Sequence, residues 1–149
     1  MDAPEIPIHW ARGPEDLRGA LHVREQVFIR EQGVPRAEEI DGRDQQAQHV
    51  VALEPASQRV IGTLRLLIDA PNAKVGRVAV ERDWRRRGVA GRMLAIALAG
   101  ARERGCTHVR LAAQTAATSV YRRAGFSVES EPFQEAGIEH VWMGLQLPD

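Results

Sequence analysis

The sequence predicts one α/β domain over residues 1–149, built on a mixed sheet. Three observations lead there. The first strand-like segments come in quick succession as hairpins, whereas the later ones alternate with helical stretches, the pattern of a mixed sheet. A chain of 149 residues and 16.5 kDa has the size of one ordinary domain, with no internal repeat or long linker to divide it. Hydrophobic residues make up 44% and charged residues 27%, enough apolar material for a core and too much for a disordered chain.

Ile6 to Ala11 reads as a short first strand. Pro14 after Gly13 suits the first position of a helix. Leu17, Ala20, Leu21, Val27 and Phe28 then keep helical spacing until Gly33 and Pro35 end the helix. Arg36 to Gln48, with Glu38, Glu39, Asp41 and Asp44, is too acidic for core and reads as a loop. His49–Glu54 and Arg59–Asp69 form a hairpin around Pro55–Gln58. In the second of these strands, alternation puts Val60, Gly62, Leu64, Leu66 and Ile68 on one face and Ile61, Thr63, Arg65 and Leu67 on the other. Pro71-Asn72 turns the chain into a third strand, Val75–Val80. Gly88–Arg104 is a long amphipathic helix ended by Gly105. A strand (His108–Ala113), a helix (Ala116–Arg123), a strand (Phe126–Val128) and a terminal strand from about Glu139 to Leu147 complete the chain.

Composition excludes several functions. Twenty basic and 20 acidic residues cancel, which argues against general nucleic-acid binding. A single cysteine allows no internal disulfide and suits a reducing compartment. The N-terminal residues lack the basic and apolar regions of a signal peptide, and the apolar run Met93–Ala101 is far short of the roughly 20 residues that span a membrane. The expectation is a cytoplasmic protein without membrane or nucleic-acid partners. The histidines are scattered and Cys106 stands alone, so no metal is expected.

The densest chemistry lies between the third strand and the long helix. Val78-Ala79-Val80 leads through Arg85-Arg86-Arg87 into Gly88-Val89-Ala90-Gly91-Arg92. Small residues let an anion approach the backbone, and the first helical N–H groups, lacking internal partners, point at it. No Lys-Ser/Thr follows the glycine and no G-x-G-x-x-G is present, so this is neither a Walker loop nor a dinucleotide loop.

Arg85-x-x-Gly88-x-Ala90 resembles the Q/R-x-x-G-x-G/A motif of the GNAT superfamily of acyl-CoA N-acyltransferases. Gln114-x-Ala116-x-x-x-x-Tyr121-x-x-x-Gly125-Phe126 resembles that family's second signature, with Gln114 where Asn is usual. Arg24-x-x-Val27-Phe28-x-x-Glu31-Gln32-x-Val34-Pro35, followed by Glu39-Ile40-Asp41-x-x-Asp44, resembles the bacterial ElaA-like subgroup and, with Arg65-Leu66-Leu67, the acyl-homoserine-lactone synthases.

The GNAT resemblance implies a single-domain fold: a mixed, mostly antiparallel sheet of about 6–7 strands, flanked by helices on both faces and splayed at the CoA-binding strand. It implies acetyl transfer from acetyl-CoA to a primary amine of a small molecule or a lysine. Val78, Ala79 and Val80 would align the pantetheine, and Arg85 to Arg92, namely Arg85, Arg86, Arg87, Gly88, Val89, Ala90, Gly91 and Arg92, would hold the pyrophosphate. Gln114 would touch the CoA arm, and Tyr121, the one tyrosine, would protonate the leaving thiolate. For the general base the residues leave several groups open, with His49 and Glu31 the named candidates. Arg24, Phe28, Glu39, Asp41, Arg65 and His140 are placed at the acceptor site. For Arg24, Asp41, Asp44 and Arg65 the competing reading is an ion-pair cluster pinning the loop to the sheet. Local acidity suggests a cationic acceptor, and a homodimer is compatible with the family. The alternatives are a lactone-synthase-like acyltransferase, an acyl-CoA-binding module without transfer, and nucleic-acid binding through Arg82 and Arg85–Arg87.

Overall fold

The computed structural model describes residues 5–148. Eight strands form one sheet in the order β1 (Ile8–Trp10), β2 (Gln48–Leu53), β3 (Val60–Asp69), β4 (Asn72–Val80), β5 (His108–Gln114), β8 (Ile138–Gln146) and β6 (Ser127–Val128); β7 (Phe133–Glu135) pairs with β8. Every pairing is antiparallel except β4 with β5. Helix α1 (Pro14–Arg24) packs on one face, burying Ala20 and Val23 against Val51, Leu53, Val60 and Ala79. Helix α3 (Val89–Glu103) and α4 (Thr118–Arg123) belong to the larger core on the other face, with Met93, Leu94 and Ala97 fully buried among Leu64, Leu66, Val75 and Leu111.

Five departures from the sequence reading have physical causes. The register slips between Ala52 and Leu53, a bulge that turns Val60 toward α1 while Ile61 joins Leu64 and Leu66 in the larger core. Strict alternation predicts Val60 and Ile61 the other way round. Leu21, expected in the buried stripe, is 37% exposed, and Arg24 takes an interior position at 0%. The helix does not simply end near Gly33: from Glu25 to Glu31 it widens into a π-helical turn, with Gln32 N–H donating to Val27 O at 3.1 Å. The acidic loop contains α2 (Arg36–Glu39) and a 3₁₀ turn at Asp44–Gln46. Strand β7 escapes alternation because it is short and polar. Its hairpin turn, Ala136-Gly137, has φ of 53° and 75°, the doubly positive geometry of a type I′ turn without the usual Asn-Gly signal.

One irregularity opens the site. On β4 the pairing jumps from Thr63↔Ala79 to Arg65↔Gly76, so two residues of β4 face one of β3, and Arg77 adopts φ 53°. The parallel ladder with β5 ends at Val75↔Leu111. Beyond that point β4 has no β5 partner, and the two strands part.

Candidate active site

The gap between β4 and β5 is a cleft of about 640 Å³, the size of an ordinary small-molecule site. Val75 to Val80 line one wall, Leu111, Ala112 and Gln114 the other, with Ala117 and Tyr121 also in the lining. Val78 and Val80 are half-buried against the larger core, while the Ala79 side chain points into the smaller one. The β5-side backbone groups of residues 76–80, apart from Val80 O, are therefore available to a ligand lying in the cleft.

At one end, α3 begins. Gly88 is its N-cap with φ 76°, a left-handed conformation that costs a side chain about 1–2 kcal/mol. A Cβ built on Gly88 or on Gly91 would meet nothing within 4 Å, so the approach to the helix terminus is open. Val89 turns its side chain into the core, leaving only its backbone to a ligand. Arg87 stacks over Trp84 at 4.7 Å, and Arg92 reaches Glu5 at 3.3 Å. Arg85 is differently engaged. Its Nε donates to Val80 O at 2.8 Å and its two Nη atoms clasp Glu31 at 2.7 and 2.8 Å. The sequence reading gave these two residues a pyrophosphate and a proton; the structure gives them to each other, tying the π turn to the end of β4. The Arg85 pair holds the Glu31 carboxyl below its usual range, partly opposed by burial, which lowers its basicity. Arg86, Arg87, Ala90 and the α3 amides remain for an anion.

Deeper in the cleft, Tyr121 is 8% exposed, and burial pushes its phenol up to about 12. A phenol so placed stays protonated and can donate. Gln114 exchanges hydrogen bonds with Gln32 at 2.9 and 3.3 Å, bridging β5 to the π turn that carries Phe28. Gln32 belongs to the Arg24–Pro35 pattern, but only the fold brings it to Gln114.

At the other end lies His140. Nδ1–H donates to Ile138 O at 2.7 Å, because a carbonyl can only accept. In the neutral ring Nε2 then carries the lone pair; it lies 3.9 Å from Glu135 Oε2, and the ring stacks on Phe133. His140 lines the cleft. His49 does not. Its Nε2–H donates to Asp44 O at 2.9 Å, and its Nδ1 is buried without a partner beneath the loop.

The remaining acceptor-site candidates form an ion network. Arg24 donates to Glu39 and Asp44 at 2.7 Å each. Arg65 holds Asp41 through two bonds of 2.8 Å and reaches Asp44 at 3.2 Å. Arg77 binds the Glu38 and Glu39 carbonyls and contacts Glu39 and Asp41 at 3.3 and 3.4 Å. Three arginines thus meet three carboxylates, and the Asp41 carboxyl is held far below the usual range, chiefly by Arg65. Arg24 is wholly interior, while Glu39, Asp41 and Arg65 show only part of themselves to the cleft. The acidity that suggested a cationic acceptor is neutralised within the protein. Among the described residues no cluster of three or more His, Cys, Asp or Glu is placed to hold a metal, and no helix is long and apolar enough to cross a membrane.

Comparison with known proteins agrees with this architecture. Residues 18–147 match the family model described as acetyltransferase (GNAT) domain. The chain is 34% identical over 134 residues to YjcF of Bacillus subtilis, described as an uncharacterized N-acetyltransferase, covering 89% of this chain and 94% of the relative. The crystal structure of Escherichia coli ElaA superposes with a TM-score of 0.82 at 24% identity, over 93% of this chain and 99% of that one. A Bacillus subtilis acetyltransferase in complex with CoA superposes with a TM-score of 0.72 at 16% identity, over 97% and 100%. The splayed strands, the glycine-capped helix and the tyrosine between them therefore sit in a known frame, and the chain belongs to the GNAT acetyltransferase family.

Proposed function

We propose that the protein transfers an acetyl group from acetyl-CoA to a primary amine by direct attack in a ternary complex. The observation that carries this reading is the parting of β4 from β5 at Val75↔Leu111, with the open α3 terminus at one end and Tyr121 in the lining. The α3 amides, Gly88, Arg86 and Arg87 would receive the pyrophosphate. The backbone edge of residues 76–80, free apart from Val80 O, would pair with the pantetheine and supply an N–H to the thioester oxygen as charge develops there, a contribution of about 3 kcal/mol.

The amine nitrogen forms a bond to the thioester carbon as the C–S bond breaks. Tyr121 gives its proton to the departing thiolate, whose own pKa is near 8.5, and regains one from the attacking nitrogen, which sheds its remaining extra proton as the amide forms. A lysine-like amine with a pKa near 10.4 must first lose a proton, at a cost of roughly 4–5 kcal/mol at pH 7. His140 Nε2 suits that task, since its lone pair is free and the ring is oriented by Ile138. Glu31, clasped by Arg85, and His49, outside the cleft, suit it less.

Thermal unfolding with acetyl-CoA tests the donor half. A ligand at about 100 times its Kd stabilises the native state by about 2.7 kcal/mol, a shift of several degrees for this size. Release of free CoA thiol across an amine panel tests the transfer. No shift at millimolar acetyl-CoA refutes the proposal.

A further inference from the structure

We propose that the acceptor end of the cleft contains an anion subsite centred on Lys74, so that the acceptor is an amine that also carries a carboxylate. The inference rests on the transferase reading above and adds the class of acceptor to it. Lys74 lies on β4 just before the strands part and lines the cleft with Arg43 and Arg77. Arg77 has its carboxylate partners, as described. Lys74 and Arg43 have no ion pair with any described residue.

The sheet makes this arrangement costly without an anion. Lys74 stands directly beside Arg110 in the parallel ladder, and like charges on neighbouring strands repel. Both lie over Trp142, Lys74 Nζ at 5.2 Å and Arg110 Cζ at 4.5 Å from the ring centre. Arg110 has a counter-charge in Glu129 at 3.6 Å. Lys74 has the ring and the more distant charge of Glu135, with no carboxylate in ion-pair contact among the described residues. Partial burial, reinforced by Arg65, Arg43 and Arg77 and opposed by Glu135, holds its ammonium below the usual lysine range, which an incoming carboxylate would relieve.

The cleft also shows where the amine belongs. Its two carboxylates without an arginine partner are Glu38 and Glu135, and Glu135 lies 3.9 Å from His140 Nε2. A zwitterionic acceptor would place its amine toward His140 and Glu135 and its carboxylate toward Lys74 and Arg43. A simple polyamine would meet Lys74 with like charge.

The test pairs amino acids with their amides, α and ω, as acceptors with acetyl-CoA; each pair presents one amine with and without the anion. Thiol release is followed for wild type, Lys74→Met and Lys74→Arg, with CoA affinity measured by calorimetry on each. The expected result is a preference for the acid of about tenfold or more in kcat/KM, lost in Lys74→Met through KM and kept in Lys74→Arg, at unchanged CoA affinity. Equal or better use of the amides overturns the subsite, as does a preference that survives Lys74→Met. If wild type binds CoA but acetylates no member of the panel, the subsite is overturned while the donor half stands. If wild type fails to bind CoA, the transferase reading falls and takes the subsite with it.

Discussion

Replacing Arg24 by Met removes the centre of the ion network while keeping a side chain of similar length. Arg24 is 0% exposed and gives three hydrogen bonds to two carboxylates, Nε to Glu39 at 2.7 Å and Nη1 and Nη2 to Asp44 at 2.7 and 3.3 Å. Stripping one partner from a buried pair costs about 3–5 kcal/mol, because the other charge stays buried without compensation. Arg77 still reaches Glu39 at 3.3 Å and Arg65 still reaches Asp44 at 3.2 Å, which favours the lower end, about 3 kcal/mol. For a domain of 149 residues that is a fall in Tm of roughly 6–12 °C. Urea unfolding followed by circular dichroism measures it directly. The double variant Arg24→Met/Glu39→Met should recover much of the loss, since apolar groups in place of both charges are close to neutral. A loss under about 1 kcal/mol in Arg24→Met, or a double variant less stable than the sum of the two singles, would refute the argument that this network pins the loop.

Tyr121→Phe should lower kcat by about 10²–10⁴ while leaving CoA affinity intact, checked by thiol release and calorimetry. As the one tyrosine, Tyr121 can be titrated by its phenolate absorbance, with an expected midpoint of about 12. Its folded pKa lies above the unfolded value near 10, so its contribution to stability is whole below pH 10 and fades as pH rises toward 12. Asp41, Asp44 and Glu31 carry the opposite sign: their folded pKa values are depressed by arginine partners, so their contribution is present above about pH 4 and lost as pH falls below it. Urea midpoints at pH 7 and pH 3 measure that loss, and equal midpoints would contradict it. Gly88→Val should weaken CoA binding and lower stability by about 1–2 kcal/mol, because φ 76° is strained for any branched residue.

What could be read along the chain was whatever local chemistry repeats or punctuates. The strand at His49–Glu54, the apolar stripe of α3, and the arginine-glycine loop entering a helix are properties of neighbouring residues, and the structure keeps them. So is the spacing from Gln114 to Tyr121, which places both in the lining of one cleft. Tertiary contact decided the rest. A bulge moves a strand's side chains to the other face without any change in residue type, so Val60, Ile61 and the opening at Arg77 were visible only once β3 had neighbours on both sides. The type I′ turn at Ala136-Gly137 lacks the residues that usually announce it, so β7 stayed hidden. Charge was the least legible property. Glu31, Glu39, Asp41 and Asp44 look alike as acids in a polar segment, yet each is neutralised by an arginine distant in sequence, Arg85, Arg24 or Arg65. Lys74, inconspicuous in its strand, is left facing the cleft without a carboxylate in ion-pair contact among the described residues. A residue's type states which charge it can carry; only the folded neighbours determine whether that charge is already paired or available to a substrate.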